Sequence, residues 1–476
     1  MKKPVELDAN GKRKFGMRDK ISYAAGDLGC NMSFALKSSI MAIFWMQFML
    51  LGETLYATLL LVVQIWDAIN DPLLGSMFDA DKRQYKRGKF KTYIFIGALG
   101  LLFSGLFFFL PIPKADTWVK AIMFVLGYVL WDAFYTVANV PYGSMMSVIT
   151  TDGSERSQLS TWRSIGSMIG NIFPMVLLPI LCYDAANKLV GQRVFIAAMV
   201  MGAIGLVCFI FMLRTTTIRV EENSVKLNDT QKFNVFKAMV NFIKNPPAVG
   251  ATLAAMAMFI GMQGSATATT VLFQSYFKNA KISGVIMLIS YLPMFLFMPF
   301  IKKIVDRFGK KEACAAGSAV SVFGALLLFL PLGSGTAGLV GYIVAQAFFG
   351  LGLGFYTCVS WALMADAIDY NEWKNHAKEE GTVYSLHSFF RKLAQGLGPS
   401  VVVLIMAALG YDSKLEANQT PAVAENMKWL VASLYTFSAI VMFVSIAFIY
   451  NLNKNKVAEM QAELEERRSE ETETEA

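Results

Sequence analysis

The chain has 476 residues, of which 55% are hydrophobic, 13% aromatic and only 16% charged, too apolar and too long for one soluble core. It reads as a polytopic membrane protein. The formal charge of +8 does not point to a nucleic-acid partner, because the basic residues crowd short loops such as 81–91 (DKRQYKRGKFK) and 302–311 (KKIVDRFGKK), the pattern of the positive-inside rule.

The N-terminus is basic and polar, and the first apolar run is too long for a cleaved signal peptide, so it is expected to remain as a helix. Apolar runs then predict about twelve spans, near 21–49, 55–79, 92–111, 118–149, 159–182, 194–213, 248–277, 283–304, 312–331, 338–367, 383–410 and 428–450. An even count with basic odd-numbered hinges is expected to place both termini in the cytoplasm. Asp79 with Arg87-Gly88-Lys89 follows span two, and Asp306-Arg307 with Gly309-Lys310-Lys311 follows span eight. Equivalent loops at equivalent places suggest two pseudo-symmetric six-helix bundles, an all-α membrane fold. The expected divisions are a bundle over 1–213, a cytoplasmic linker over 214–246, a second bundle over 247–452 and a charged, solvated and partly helical tail over 453–476. Cys30, Cys182, Cys208, Cys314 and Cys358 lack metal-ligand spacing, so neither disulfides nor zinc are expected.

Polar residues inside the spans are the candidate functional groups. In span one Asp27 and Asn31 share a face, and Lys37 is available to pair with a buried carboxylate or to snorkel to the interface. Span two carries WDAINDPLLGSMFD, with Asp67 and Asp71 one turn apart, Asn70 beside them, and Pro72 tending to free the carbonyl of Ala68. A charge at bilayer depth costs about 2.5–3.5 kcal/mol on insertion scales, so this group is expected to hold a small hard cation or a proton. Helix-end carboxylates facing water are the alternative.

Span four shows Asp132, Thr136, Asn139 and Gly143 on one face, suited to a cation and to sugar hydroxyls, or to interhelical hydrogen bonding. Trp162-Arg163 opens span five, while span eleven contains Tyr384, His387, Arg391 and Lys392. Cations beside aromatics suit a hydroxylated or anionic ligand. Among them Lys392 is preferred for the pocket, with Arg391 a snorkelling or structural residue. Asp366, Asp369 and Glu372 form an acidic stripe at the end of span ten, read with Asp79 and Arg307 as gate ion pairs. With two histidines and neither HExxH nor GxSxG, no hydrolytic centre is expected.

The stretches GDLGCN, WDAINDPLLGSMFD with RGKFK, NVPYGSM with ERSQLSTWRS, MADAIDYNEW and YSLHSFFRKL occur in an order that resembles the glycoside-pentoside-hexuronide:cation symporters of the major facilitator fold. The resemblance spans nearly the whole chain. It implies a cation site of Asp67, Asn70, Asp71 and Thr136, taking Na+ if the carrier is sodium-coupled. It also implies sugar contacts at Asn31, Asn139, Arg163 and Lys392, and Asp27, Tyr142, Trp162, Tyr384 and His387 are grouped with them. Asn31 and Asn139 stand where the melibiose permease branch has Asp, Cys30 where it has Lys and Gly143 where it has Trp, so the likeness is to the hexuronide and pentoside branch. The implied activity is import of a glycoside, a glucuronide or a xyloside-type oligosaccharide, by symport with Na+ or H+. No cofactor beyond that coupling ion is expected, and the partners are membrane lipid, the sugar and the cation. A monomer in a bacterial inner membrane is expected. A lysophospholipid transporter of related fold is the alternative.

Overall fold

A chain crossing hydrocarbon must satisfy its backbone N–H and C=O groups internally, and helices do so within one segment. The computed structural model describes residues 12–81, 83, 85–150, 152–219, 239–240, 242–375 and 380–475, and among these an isolated bridge joins Tyr183 and Leu189. Two compact units result, 1–230 with 412–416, and 231–411 with 417–476. Most of the 214–246 linker expectation (220–238 and 241) lies outside the described residues.

The first unit contains α1 (Met17–Ile43), α2 (Glu53–Ala80), α3 (Lys89–Phe108), α4 (Thr117–Ser144), α5 (Gly153–Cys182) and α6 (Gly191–Thr215). Helix α2 continues past Pro72. The close approach of α1 to α5 depends on Gly166 and Gly170, one turn apart. A Cβ on Gly166 would run into the Ala24 carbonyl, and one on Gly170 would come within 2.9 Å of both Asn31 Cβ and the Leu28 carbonyl. Small residues at this spacing let two membrane helices touch backbone to backbone. That contact brings the polar face of α1 against α5.

At the basic-loop end, α1 is pinned by an ion triad. Asp19 is fully buried and accepts from Arg13 at 2.5 Å and from Arg219, just beyond α6, at 3.0 Å. Arg219 Nε also donates to the Arg13 carbonyl at 2.9 Å, and Ser22 meets Thr216 at 2.6 Å.

The second unit is more broken. Its helices are α7 (Pro246–Phe259), α8 (Ser265–Ser275), α9 (Ser283–Ile289), α10 (Leu292–Phe297), α11 (Ile301–Phe308), α12 (Lys310–Leu327), α13 (Thr336–Asn375), α14 (Glu380–Ala408), α15 (Pro421–Val444) and α16 (Lys454–Glu475). A π-helical turn, Ile260–Gly264, joins α7 to α8. The span expected as one rod near 283–304 is instead three short helices, with Pro293 and Pro299 in the region where it breaks. The two loop glycines match between the halves. Gly88 caps α3 at φ 83° and Gly309 caps α12 at φ 102°, backbone conformations in which side-chain-bearing residues are strained.

The tail is not merely solvated. Residues 454–475 form α16, whose Met460 and Leu464 are buried. Trp373 Nε1 donates to Glu463 at 2.6 Å, and Arg467 donates to the Trp373 carbonyl at 3.2 Å. Large apolar side chains such as Phe103 (65% exposed), Val207 (64%), Leu296 (70%) and Phe448 (72%) point outward, which is costly in water and neutral in lipid.

Asp19→Asn should lower the thermal stability of the purified protein, because removing one member of a buried ion pair costs about 3–5 kcal/mol. Unfolding curves in detergent identical to wild type would show that the triad contributes nothing to stability.

Candidate functional site

Two polar clusters sit inside the first unit, and each joins residues from different helices. In the first, Asn70 of α2 is completely buried and its amide nitrogen donates to Asp132 Oδ2 at 2.9 Å and Thr136 Oγ1 at 3.0 Å, both on α4. Its carbonyl oxygen Oδ1 is buried with no hydrogen-bond partner among the described residues. Leaving such an acceptor unmet costs about 1–3 kcal/mol, a deficit that a bound cation would remove. Asp67 is half-buried three residues earlier on α2. The Asp71 and Asp79 side chains lie outside the described residues.

Lys37 completes this neighbourhood. Its ammonium lies 3.7 Å from the centre of the Tyr128 ring and 4.3 Å from that of Trp131, while the carboxylate charges acting on it are those of Asp132 and then Asp67. Aromatic faces hold a desolvated cation at roughly 2 kcal/mol each. The lysine is therefore an interior group rather than a snorkelling one. A crevice of ≈ 810 Å³ runs from Asp81, Tyr85 and Tyr93 at the loop end of α2 and α3 to Thr136, giving water and ions room beside the cluster.

The second cluster centres on Asp27. Arg163 Nε of α5 donates to Asp27 Oδ1 at 3.1 Å, and Asn31 donates from one turn on to Asp27 Oδ2 at 3.1 Å and to its carbonyl at 2.8 Å. Asn171 donates to Asn31 Oδ1 at 2.7 Å. Tyr142 stacks on Tyr23 with ring centres 4.7 Å apart, and each hydroxyl donates to the other residue's carbonyl. The Arg163 guanidinium lies 5.1 Å from the Tyr142 ring, and a Cβ on Gly143 would stand 3.6 Å from its Nη1. Asn139 is half-buried and accepts a weak contact from Cys30 Sγ at 3.9 Å, which ties it to the same region. Trp162 is half-buried on a neighbouring face of α5.

In the second unit, His387 Nδ1 lies 2.8 Å from Thr252 Oγ1, and its ring meets Trp361 edge-on at 5.9 Å. Tyr384 is exposed and stacks on Trp361 at 5.7 Å. Lys392 is exposed, whereas Arg391, ranked below it from sequence, is half-buried among these aromatics. Asp366 is buried and holds Lys310 at 2.6 and 2.8 Å. The pairing partner is thus Lys310 at the start of α12 instead of Arg307, which is exposed with its guanidinium over Phe308. Asp369 and Glu372 are half-buried on the same helix.

Sequence reasoning missed Asn171, which is eight residues after Arg163 and so on the same helical face, and it missed Asp19 and Asp81. Asp81 caps α2 and accepts from Tyr85 at 2.6 Å, Tyr93 at 2.7 Å and the Arg83 backbone at 3.0 Å. These donors hold its carboxyl at about 2, below the usual carboxylate range.

With this geometry in place, a family model described as MFS/sugar transport protein matches residues 22–454. The chain belongs to that family. It is a sugar symporter of the major facilitator fold, a transporter and not an enzyme. The isoprimeverose transporter of Lactiplantibacillus pentosus is 28% identical over 95% of this chain and 92% of its own length. A putative sulfoquinovose importer of Escherichia coli K12 is 27% identical, covering 97% and 96% of the two chains. The glucuronide carrier protein homolog of the same organism is 24% identical, covering 96% and 97%. The crystal structure of a D-xylose-proton symporter superposes with TM-score 0.61 at 15% identity, covering 90% of this chain and 97% of that one, a likeness of fold.

Two outcomes check this description of the site. Asn70→Ala should lower stability by about 1–3 kcal/mol by stripping Asp132 and Thr136 of their shared donor; an unchanged melting temperature would mean that the amide bridges nothing. Because the folded-state value of Asp81 is depressed, its contacts stabilise the loop at neutral pH and fade only as pH falls from about 4 toward 2. Deuterium uptake in the 81–90 segment, corrected for intrinsic exchange, should therefore match at pH 7 and pH 4.5, and rise at both in the double variant Tyr85→Phe, Tyr93→Phe.

Proposed function

We propose that this family member imports a glycoside, of the glucuronide or xyloside-oligosaccharide class, by symport with Na+ or H+ through alternating access. The observation that carries the coupling is the orphaned Asn70 carbonyl oxygen, buried between helices with Asp67 on the same helix and Asp132 and Thr136 facing it. Carboxylate, amide and hydroxyl oxygens are the donor set of a hard monovalent cation, and carboxylates alone also serve a proton. Asp71 would join them by its place one turn beyond Asp67.

The Asp27 cluster supplies the sugar-facing groups of the first unit. Asn31, Asn139 and Asn171 offer both donors and acceptors to hydroxyls, and the Arg163–Asp27 pair presents a fixed dipole in which neither charge is left alone. Relatives of comparable coverage are named an isoprimeverose transporter, a putative sulfoquinovose importer and a glucuronide carrier protein homolog. Cation and sugar need not touch. Each binds one conformational state more tightly, so each raises the other's affinity by the same factor. The Lys310–Asp366 pair fixes the start of α12 to α13 and would act as a clamp at the basic-loop end of the second unit during that change. We place the protein in a bacterial inner membrane as a monomer with both termini cytoplasmic.

Asp67→Asn should abolish gradient-driven accumulation in proteoliposomes while sugar binding remains measurable, because it removes a cation ligand and not a sugar contact. Uptake of glucuronides and xylosides under separately imposed Na+ and H+ gradients identifies the ion. Accumulation in the variant equal to wild type under both gradients would defeat the assignment.

A further inference from the structure

Among the described residues no carboxylate reaches Arg391. It lies eleven residues into α14, about 16 Å of helix rise from Glu380 at its start, too far for the side chain to reach that end. Several other cations among the described residues have carboxylates beside them, and buried Lys120 donates to the Met49 and Pro113 carbonyls. Arg163 is paired with Asp27, Lys310 with Asp366, and Lys37 feels the charge of Asp132. The ionisable side chains around Arg391 are Tyr384, Tyr356 and His387. Its Nε is buried with no hydrogen-bond acceptor.

What surrounds the guanidinium is aromatic. The Phe259 ring centre is 5.4 Å away and that of Trp361 5.8 Å away. These faces stabilise the charge but accept none of its in-plane N–H groups, which are arranged to fork onto two oxygens. Phe259 is the last residue of α7, and the π-helical turn Ile260–Gly264 follows immediately. Such turns recur at functional sites because they widen a helix locally. Trp361 and Tyr384 are 50% and 49% exposed, so the aromatic wall is open to a ligand.

We propose that Arg391 is the anion-recognising group of the second unit, forking onto the carboxylate or sulfonate of a charged sugar whose C–H face rests on Trp361. The proposal rests on the acidic-sugar branch of the function proposed above. It assigns the charge recognition to Arg391 in place of Arg163, whose charge Asp27 already neutralises, and in place of Lys392, which is exposed on the adjacent face of α14. His387, held by Thr252 and edge-on to Trp361, fixes the orientation of that wall. A membrane-embedded guanidinium waiting for an anion also supplies selectivity, because a neutral sugar leaves its donors unmet.

The test uses the full-length purified protein and two matched pairs of probes, methyl β-D-glucuronide against methyl β-D-glucoside, and sulfoquinovose against glucose, with affinities read by calorimetry and ligand-free stability by thermal unfolding. Wild type should prefer the anionic member of at least one pair. Arg391→Gln should reduce that preference at least about tenfold with little change for the neutral member, since a charge-assisted bond is lost. Its ligand-free melting temperature should equal or exceed that of wild type, because an uncompensated charge has been removed. A lower melting temperature with both members weakened alike would make Arg391 a structural residue and overturn the proposal. An unchanged preference would overturn it while leaving the acidic-sugar reading intact. If wild type prefers neither anionic probe, that reading fails and the proposal with it. Should Arg391→Gln not fold, Arg391→Lys decides the matter, since it keeps the charge, loses the fork and must weaken only the anionic probe.

Discussion

Charges and amides inside hydrocarbon must find partners, and in the first unit that requirement converges on one helix. α1 is tied at three levels: Asp19 to Arg13 and Arg219, Asp27 to Arg163, and Lys37 to the Tyr128 and Trp131 faces. Each tie reaches a different part of the unit. A buried pair contributes little net stability over an apolar substitute, but breaking one is expensive, so such ties fix position more than they add strength. The polar faces of α2 and α4 are locked to one another by the same logic through Asn70.

The second unit applies the rule differently. Its helices are interrupted by a π-helical turn after Phe259 and by breaks between 289 and 301. Lys310 and Asp366 close its basic-loop end, with Tyr450 donating to the Leu363 carbonyl beneath them at 3.2 Å. Lys454 caps the end of α11 by donating to the carbonyls of Asp306 and Arg307 at 2.6 and 3.0 Å, so the tail helix begins from a fixed point. A broken helix can be re-aimed at smaller cost than an unbroken one held by a buried ion pair. That division of labour suits a carrier in which a cation and a sugar act on one conformational equilibrium.

Hydropathy and residue type made much of this legible from the chain alone. The membrane class, most of the spans, the matching loop glycines Gly88 and Gly309, and the polar residues of α1, α2 and α4 follow from properties of each residue and its near neighbours. A carboxylate in an apolar run is conspicuous wherever it pairs. Spacing also placed Asp132 and Thr136 on one face, and Asn70 now joins both.

Partner choice was not legible, because it depends on how far apart and at what rotation two helices pack. Arg163 meets Asp27 because Gly166 and Gly170 let α5 press against the α1 backbone, and no local pattern encodes which face of α1 they meet. Lys310 takes Asp366 although Arg307 is as basic, because Lys310 opens α12 beyond the Gly309 turn whereas Arg307 ends α11 before it. Arg391 and Lys392 differ in burial for the same reason: adjacent residues on a helix point about 100° apart, so one lies among Phe259 and Trp361 and the other is exposed. The sequence by itself determined which polar groups enter the membrane, since transfer free energy belongs to the side chain. Only the tertiary structure decided which of them are neutralised, since that energy belongs to a distance.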